Sequence, residues 1–259
     1  MKKLAIDLNS DVGESFGPYT MGQDEELFQY ITSANIACGY HAGDPSTIRK
    51  TLDIAVKHGV AVGAHPGYPD RLHFGRVTLP YTSDEVTDFI LYQIGALQLM
   101  AERAGLTLQH VKLHGALYHA AAQDQMLAET FLDAMVRLKH SFIIVGPPGS
   151  MLQREAEDRG LDYASEGFAD RGYSEQGKLL PRGMEGSLIT NPEHAAEQAI
   201  QIVRERHVTA NSGVKLDLKV NTLCIHGDTP GATEIAKVVR QNLEAAKIAV
   251  EPLHKIMES

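Results

Sequence analysis

Asp7, Asn9 and Asp11 alternate at period two, the spacing that sets three side chains on one face of a β-strand. Farther along, His41, His65, Lys112 with His114, Asp170, and His226 followed by Asp228 each stand at or just beyond the end of a short β-rich run. Imidazoles beside carboxylates move protons near neutral pH and also ligate divalent metals, and a lysine among them offers a compact cation to an anionic group. A single His is most often a satisfied or exposed ring. Several of them at equivalent strand ends, with carboxylates alongside, point instead to one site.

The elements that would gather these residues are legible as repeated βα units. Strands are expected at Leu4–Asn9, Ala34–Gly39, Val60–His65, Val111–His114, Phe142–Val145, Gly167–Asp170 and Thr222–His226, alternating with segments of helical period. Asp44-Pro45 and Asn191-Pro192-Glu193 pair an N-cap with proline in the first turn, the second opening a helix over Ala195–Arg206. Thr82-Ser83-Asp84-Glu85 holds a capping box for a helix through Met100, and Gly105 and Gly160 stand at C-terminal stops. Arg171–Ser187 and Thr209–Val220 break the rhythm and read as insertions, the second with a hairpin turn at Asn211-Ser212-Gly213. With no linker or low-complexity tract, residues 1–259 are expected to form one domain. In a parallel barrel the active site lies at the C-terminal ends of the strands, which is where the polar residues fall.

Composition narrows the function. The chain is 43% apolar and 22% charged, ordinary for a globular protein, and a net charge of -9 argues against binding a phosphate backbone. Cys38 and Cys224 form no CxxC, which suits a reducing compartment. Lys2 and Lys3 could open a signal peptide, but Asp7 and Asn9 cut the apolar run that follows. With no eighteen-residue apolar stretch either, the expectation is a cytoplasmic protein with neither membrane nor nucleic acid as partner.

The peptides around the polar residues resemble the LamB/YcsF family in order. They are Asp7-Leu-Asn9-Ser-Asp11-Val-Gly13-Glu14, Ser33-Ala-Asn35-Ile-Ala-Cys38-Gly39-Tyr-His41-Ala-Gly43-Asp44, Gly63-Ala-His65-Pro66 and Tyr92-Gln93-Ile-Gly95-Ala96-Leu97. They continue through His110-Val-Lys112-Leu-His114-Gly115-Ala-Leu-Tyr118, Phe168-Ala-Asp170-Arg171-Gly-Tyr173, Leu180-Pro181-Arg182 and Cys224-Ile-His226-Gly227-Asp228. Ser10 and Leu113 depart from the residues usual there, Leu113 standing where proline is common. The resemblance implies an irregular (β/α)7 barrel of the glycoside hydrolase/deacetylase superfamily. It also implies the A component of an ATP-dependent 5-oxoprolinase, which opens 5-oxoproline to glutamate with subunits B and C; a homo-oligomer is compatible with it.

That reaction needs cations for phosphate, a base for water and donors for an oxyanion. Lys112, Arg171 and Arg182 could supply the first, and Asp11, His65 or His114 the second, with Lys112 holding its ammonium at the rim and Asp170 beside them. Asp7, Asn9, Glu14, Asn35, His41, Arg182, His226 and Asp228 would then bind substrate. The rival expectation is a divalent-metal hydrolase of the carbohydrate-deacetylase type with Asp11, His41, His65 and His226 as ligands. A scaffold that only docks partners fits poorly with so many polar groups on one rim. Gly172–Lys178 imitates a P-loop, but Leu179 replaces the magnesium-binding hydroxyl and Pro181 blocks the helix. Asp7-Asn9-Asp11 imitates an EF-hand start but lacks its glycine, and HExxH, GxSxG and GxGxxG are absent.

Overall fold

The computed structural model describes residues 4–229 and 231–258; Lys2 and Lys3 lie outside the described residues. Strands β1 (Ala5–Val12), β2 (Ser33–Ala37), β3 (Ala61–His65), β4 (Leu108–Lys112), β5 (Ile143–Gly146) and β6 (Tyr163–Phe168) pair in sequence order, all parallel. After a two-stranded hairpin, β7 (His207–Thr209) and β8 (Lys215–Asp217), strand β9 (Thr222–Cys224) pairs with both β6 and β1. That double pairing closes a seven-stranded α/β barrel. A short β10 (Ala249–Val250) adds to the start of β1 outside the closure.

Helices α1 (Asp24–Leu27), α2 (Pro45–His58), α3 (Ser83–Arg103), α4 (Gly115–Gln123), α5 (Gln125–Val136), α6 (Met151–Asp158), α7 (Pro192–Ile200) and α8 (Ala232–Ala245) surround the barrel. The expected caps form: Asp44 accepts from Ser46 and Thr47 N–H before Pro45-led α2, Thr82 and Glu85 close the capping box of α3, and Asn191 caps α7. Helix α7 stops at Ile200, short of Arg206, because Gln201–Glu205 widens into a π turn.

Both faces of each barrel strand are covered, so period two shows up as chemistry rather than exposure. Ile6, Leu8, Ile36, Val62, Ala64, Val111 and Leu223 join a buried apolar core with helix residues such as Leu52, Ile90, Leu97 and Phe131. The alternate residues Asp7, Asn9, Asp11, Asn35, His110, Lys112 and Glu166 are buried too, and most of them bond to one another across the barrel. At the N-terminal end, Leu253 of α9 (Leu253–Met257) packs on Ile143, Val145 and Ala164. Strands β4 and β6 begin and end earlier than expected, which leaves His114 and Asp170 in the loops beyond them. The expected hairpin is present, but it starts at His207 rather than Thr209.

Candidate active site

The barrel interior carries a polar floor. Lys112 reaches inward from β4 until Nζ lies 2.9 Å from Asp11 Oδ1 and 2.9 Å from Glu166 Oε1. It also lies 3.2 Å from Cys224 Sγ. Asn35 donates to Asn9 at 2.7 Å and to Asp11 at 2.8 Å, and Asn9 donates to Glu166 at 3.0 Å. Burial alone would raise Asp11, but His65 and the Lys112 ammonium outweigh it and hold the carboxyl well below the usual range. The same pairing overcomes burial at Lys112 and lifts it well above an ordinary lysine. Lys112 is only 3% exposed, so the expectation of an ammonium held at the rim is corrected: two buried carboxylates draw it into the barrel.

His110 lies on this floor, its Nε2 2.6 Å from Asn35 Oδ1. Burial, then the charge of Lys112, pushes its pKa down to about 3. Its ring fits because β3 offers Gly63, where a Cβ would come within 2.2 Å of His110 Nε2.

Above the floor four residues converge from four strand ends. His65 ends β3, His114 follows β4, and His41 and Glu14 follow β2 and β1. His65 Nε2 is 2.9 Å from His114 Nδ1, and His41 stacks flat on His114 with centroids 3.7 Å apart. Glu14 Oε1 is 3.8 Å from His41 Nε2 and 3.9 Å from His114 Nδ1. Burial, and then the other imidazoles, holds His41 well below the usual histidine range and brings His114 down to about 3. Burial with Asp11 and Asp228 nearby raises Glu14 well above an ordinary carboxyl.

A third group lies beyond β6 and β9. His226 Nδ1 is 3.1 Å from both oxygens of Asp170, which also accepts from the His226 N–H and the Thr229 hydroxyl. Burial opposes ionisation of Asp170, yet His226 more than offsets it and lowers the carboxyl. Asp228 accepts from Arg76 at 2.5 Å and Arg182 at 3.3 Å. A carboxylate behind an imidazole fixes which ring nitrogen faces outward, the arrangement of a general base, and two guanidiniums beside it can receive an anion.

Two expected site residues lie elsewhere. Asp7 is fully buried and held by the hydroxyls of Thr32, Ser33 and Thr222, below the floor rather than on the rim. Arg171 gives its guanidinium to the carbonyls of Ser187 and Leu180, tying down the loop after β6. The expected metal set divides, since Asp11 and His226 cluster with Cys224, whereas His41 and His65 cluster with Glu14 and His114. Glu166 and Arg76 are absent from the residues expected on sequence. Glu166 shares the inward period of Phe168 and Asp170, a signal that could find it; Arg76 meets a partner 152 positions away and carries no such signal.

A closed parallel barrel that collects acid, base and cationic side chains beyond the C-terminal ends of its strands is a β/α-barrel enzyme. The LamB/YcsF family model matches residues 6–258. A Pyrococcus horikoshii protein named as the A component of 5-oxoprolinase is 46% identical over 98% of this chain and 100% of its own length. A Methylococcus capsulatus protein of that name is 50% identical, covering 96% of this chain and 95% of itself. The crystal structure of a lactam utilization protein from Thermus thermophilus superposes with a TM-score of 0.90 at 43% identity, over 95% of this chain and 99% of that one. The chain belongs to the LamB/YcsF family.

Proposed function

We propose that this chain is the A component of an ATP-dependent 5-oxoprolinase, opening the lactam of 5-oxo-L-proline to L-glutamate with two partner subunits, B and C. Its full-length kinship with relatives of that name is the observation that carries the reading. The whole chain, residues 1–259, acts in it as one barrel domain in the cytoplasm. No helix among the described residues is long and apolar enough to cross a membrane.

A five-membered lactam resists water because its amide is resonance-stabilised. Transfer of the γ-phosphoryl group of ATP to the lactam oxygen makes the carbonyl carbon a better electrophile. Water then adds to that carbon and the ring C–N bond breaks as the nitrogen takes a proton, which leaves the γ-acyl phosphate of glutamate; a second water displaces inorganic phosphate from it and gives the free carboxylate. In this reading His226, turned by Asp170, takes the proton from water on Nε2 and returns it to the ring nitrogen. Arg182, with Arg76, meets the phosphoryl group or the substrate carboxylate.

Asp11 stays ionised beside Lys112, and a carboxylate held so low is a poor base. Asn9 and Asn35 shape the floor of the binding site, and Asp228 holds the two arginines in place. A divalent metal among the histidines would polarise an oxygen of the substrate when bound. ATP is the co-substrate of the assembled enzyme. Gly172–Lys178 lies in a loop bridged between Tyr173 and Leu179 that opens no helix, which supports reading it as an insertion rather than a nucleotide loop.

The test is glutamate release from 5-oxoproline by the purified chain, alone and with both partner subunits. ATP-dependent release that needs all three chains is expected. Robust turnover by this chain alone, or none by the assembly, would contradict the proposal.

A further inference from the structure

We infer that Glu14, His41, His65 and His114 bind one divalent transition-metal ion. This deepens the reading above by naming the residues and the class of ion, and it stands on hydrogen-bond geometry rather than on the reaction.

Two backbone carbonyls fix the tautomers. A carbonyl oxygen only accepts, so His65 Nδ1, 2.7 Å from Lys112 O, must carry its hydrogen, and so must His114 Nε2, 2.8 Å from Phe74 O. In the neutral rings no hydrogen is left for the other nitrogens. His65 Nε2 and His114 Nδ1 then present bare lone pairs to each other at 2.9 Å, which requires a cation shared between them. Asp11 Oδ2 also faces His65 Nε2 at 3.4 Å, and an extra proton on His65 would satisfy these three groups alone.

Glu14 and His41 decide in favour of a metal. His41 is 1% exposed and neither of its ring nitrogens has a hydrogen-bond partner among the described residues. Burying such a group unpaired is costly, and a proton between the other two rings does nothing for it. A metal uses all four residues. Bonds of about 2.0–2.1 Å in a tetrahedron put neighbouring donors ~3.3 Å apart. The separations of 2.9, 3.8 and 3.9 Å bracket that edge, and all four donor atoms lie within 4.8 Å of one another.

The surroundings are built for these rings. A ligating histidine characteristically donates its other N–H to a carbonyl or carboxylate, as His65 and His114 do. Gly67 and Gly75 press against the cluster, where a Cβ would come within 2.6 Å of His41 Nδ1 and 2.8 Å of His41 Cβ respectively. Three imidazoles and one carboxylate favour zinc, cobalt, nickel or iron over magnesium or calcium.

The experiment strips the full chain with a chelator and titrates it with Zn²⁺ by calorimetry and with Co²⁺ by its visible ligand-field absorption. ATP, lactam and partner subunits are left out, so failure of this inference and failure of the proposed reaction are read separately. One equivalent per chain is expected. His41→Ala and Glu14→Gln should each weaken binding by about tenfold or more. His226→Gln, altered outside the four, should bind like wild type. Metal-free melting temperatures measured alongside show whether each variant folds, with His41→Gln as the milder replacement. No saturable binding by the folded wild-type chain overturns the inference, as does binding lost in His226→Gln but kept in the folded His41 variants.

Discussion

Lys112 holds two carboxylates at once, with Nζ 2.9 Å from Asp11 and 2.9 Å from Glu166. Removing one partner of a buried ion pair leaves charge without compensation, which typically costs about 3–5 kcal/mol. Lys112→Met is therefore expected to lower the melting temperature sharply as well as activity; an unchanged melting temperature would refute the pairing. Asp7 shows the opposite balance. Burial raises its pKa to about 6 despite three hydroxyl donors. A carboxyl raised from 3.8 to about 6 binds its proton more tightly folded than unfolded, so its contribution to stability is present at pH below 3.8 and is lost as pH rises through about 6. Asp7→Asn should accordingly gain stability relative to wild type between acid and neutral pH, by up to roughly 3 kcal/mol. Parallel pH-dependent unfolding curves for the two proteins would count against this.

At the scale of the elements, β3 and β4 meet where Gly63 admits the His110 ring, and the sheet tolerates no larger residue there. Gly63→Ala is expected to cost about 1–3 kcal/mol by overpacking. Thr82→Ala, which removes the capping box at the exposed start of α3, should cost about 1 kcal/mol. Denaturant melts of both variants check the order, and equal losses would mean that the barrel interior yields more easily than its geometry implies. The seven strands and the helix caps are legible in the sequence because period two and N-cap chemistry are local. Height within the barrel is not. Asp7, Asn9 and Asp11 share one face but rise about 6.6–6.8 Å at each step, so one alternating pattern spans the region below the floor, the floor and the layer above. Starting β6 at Gly167 rather than Tyr163 hides Glu166, and with it the second partner of Lys112. The π turn after Ile200 and the clasp of Arg76 on Asp228 depend on tertiary packing, which no local pattern reports.

In the whole molecule, one end of the barrel is plugged by Leu253, and the buried histidines and the Asp170–His226 pair lie at the other. The proposed function puts the lactam opening at that end, within an enzyme of three different chains. His226 is the most direct point of attack, since its side chain is 12% exposed and its replacement leaves the buried Lys112 pairings intact. The deciding measurement is glutamate release from 5-oxoproline with ATP by the reconstituted assembly, carrying either the wild-type chain or His226→Gln, with melting temperatures taken on the same preparations. ATP-dependent release by the wild-type assembly is expected, with a fall of about a hundredfold or more in the variant at unchanged melting temperature. Full turnover by the folded His226→Gln assembly, or no glutamate from the wild-type one, would contradict it.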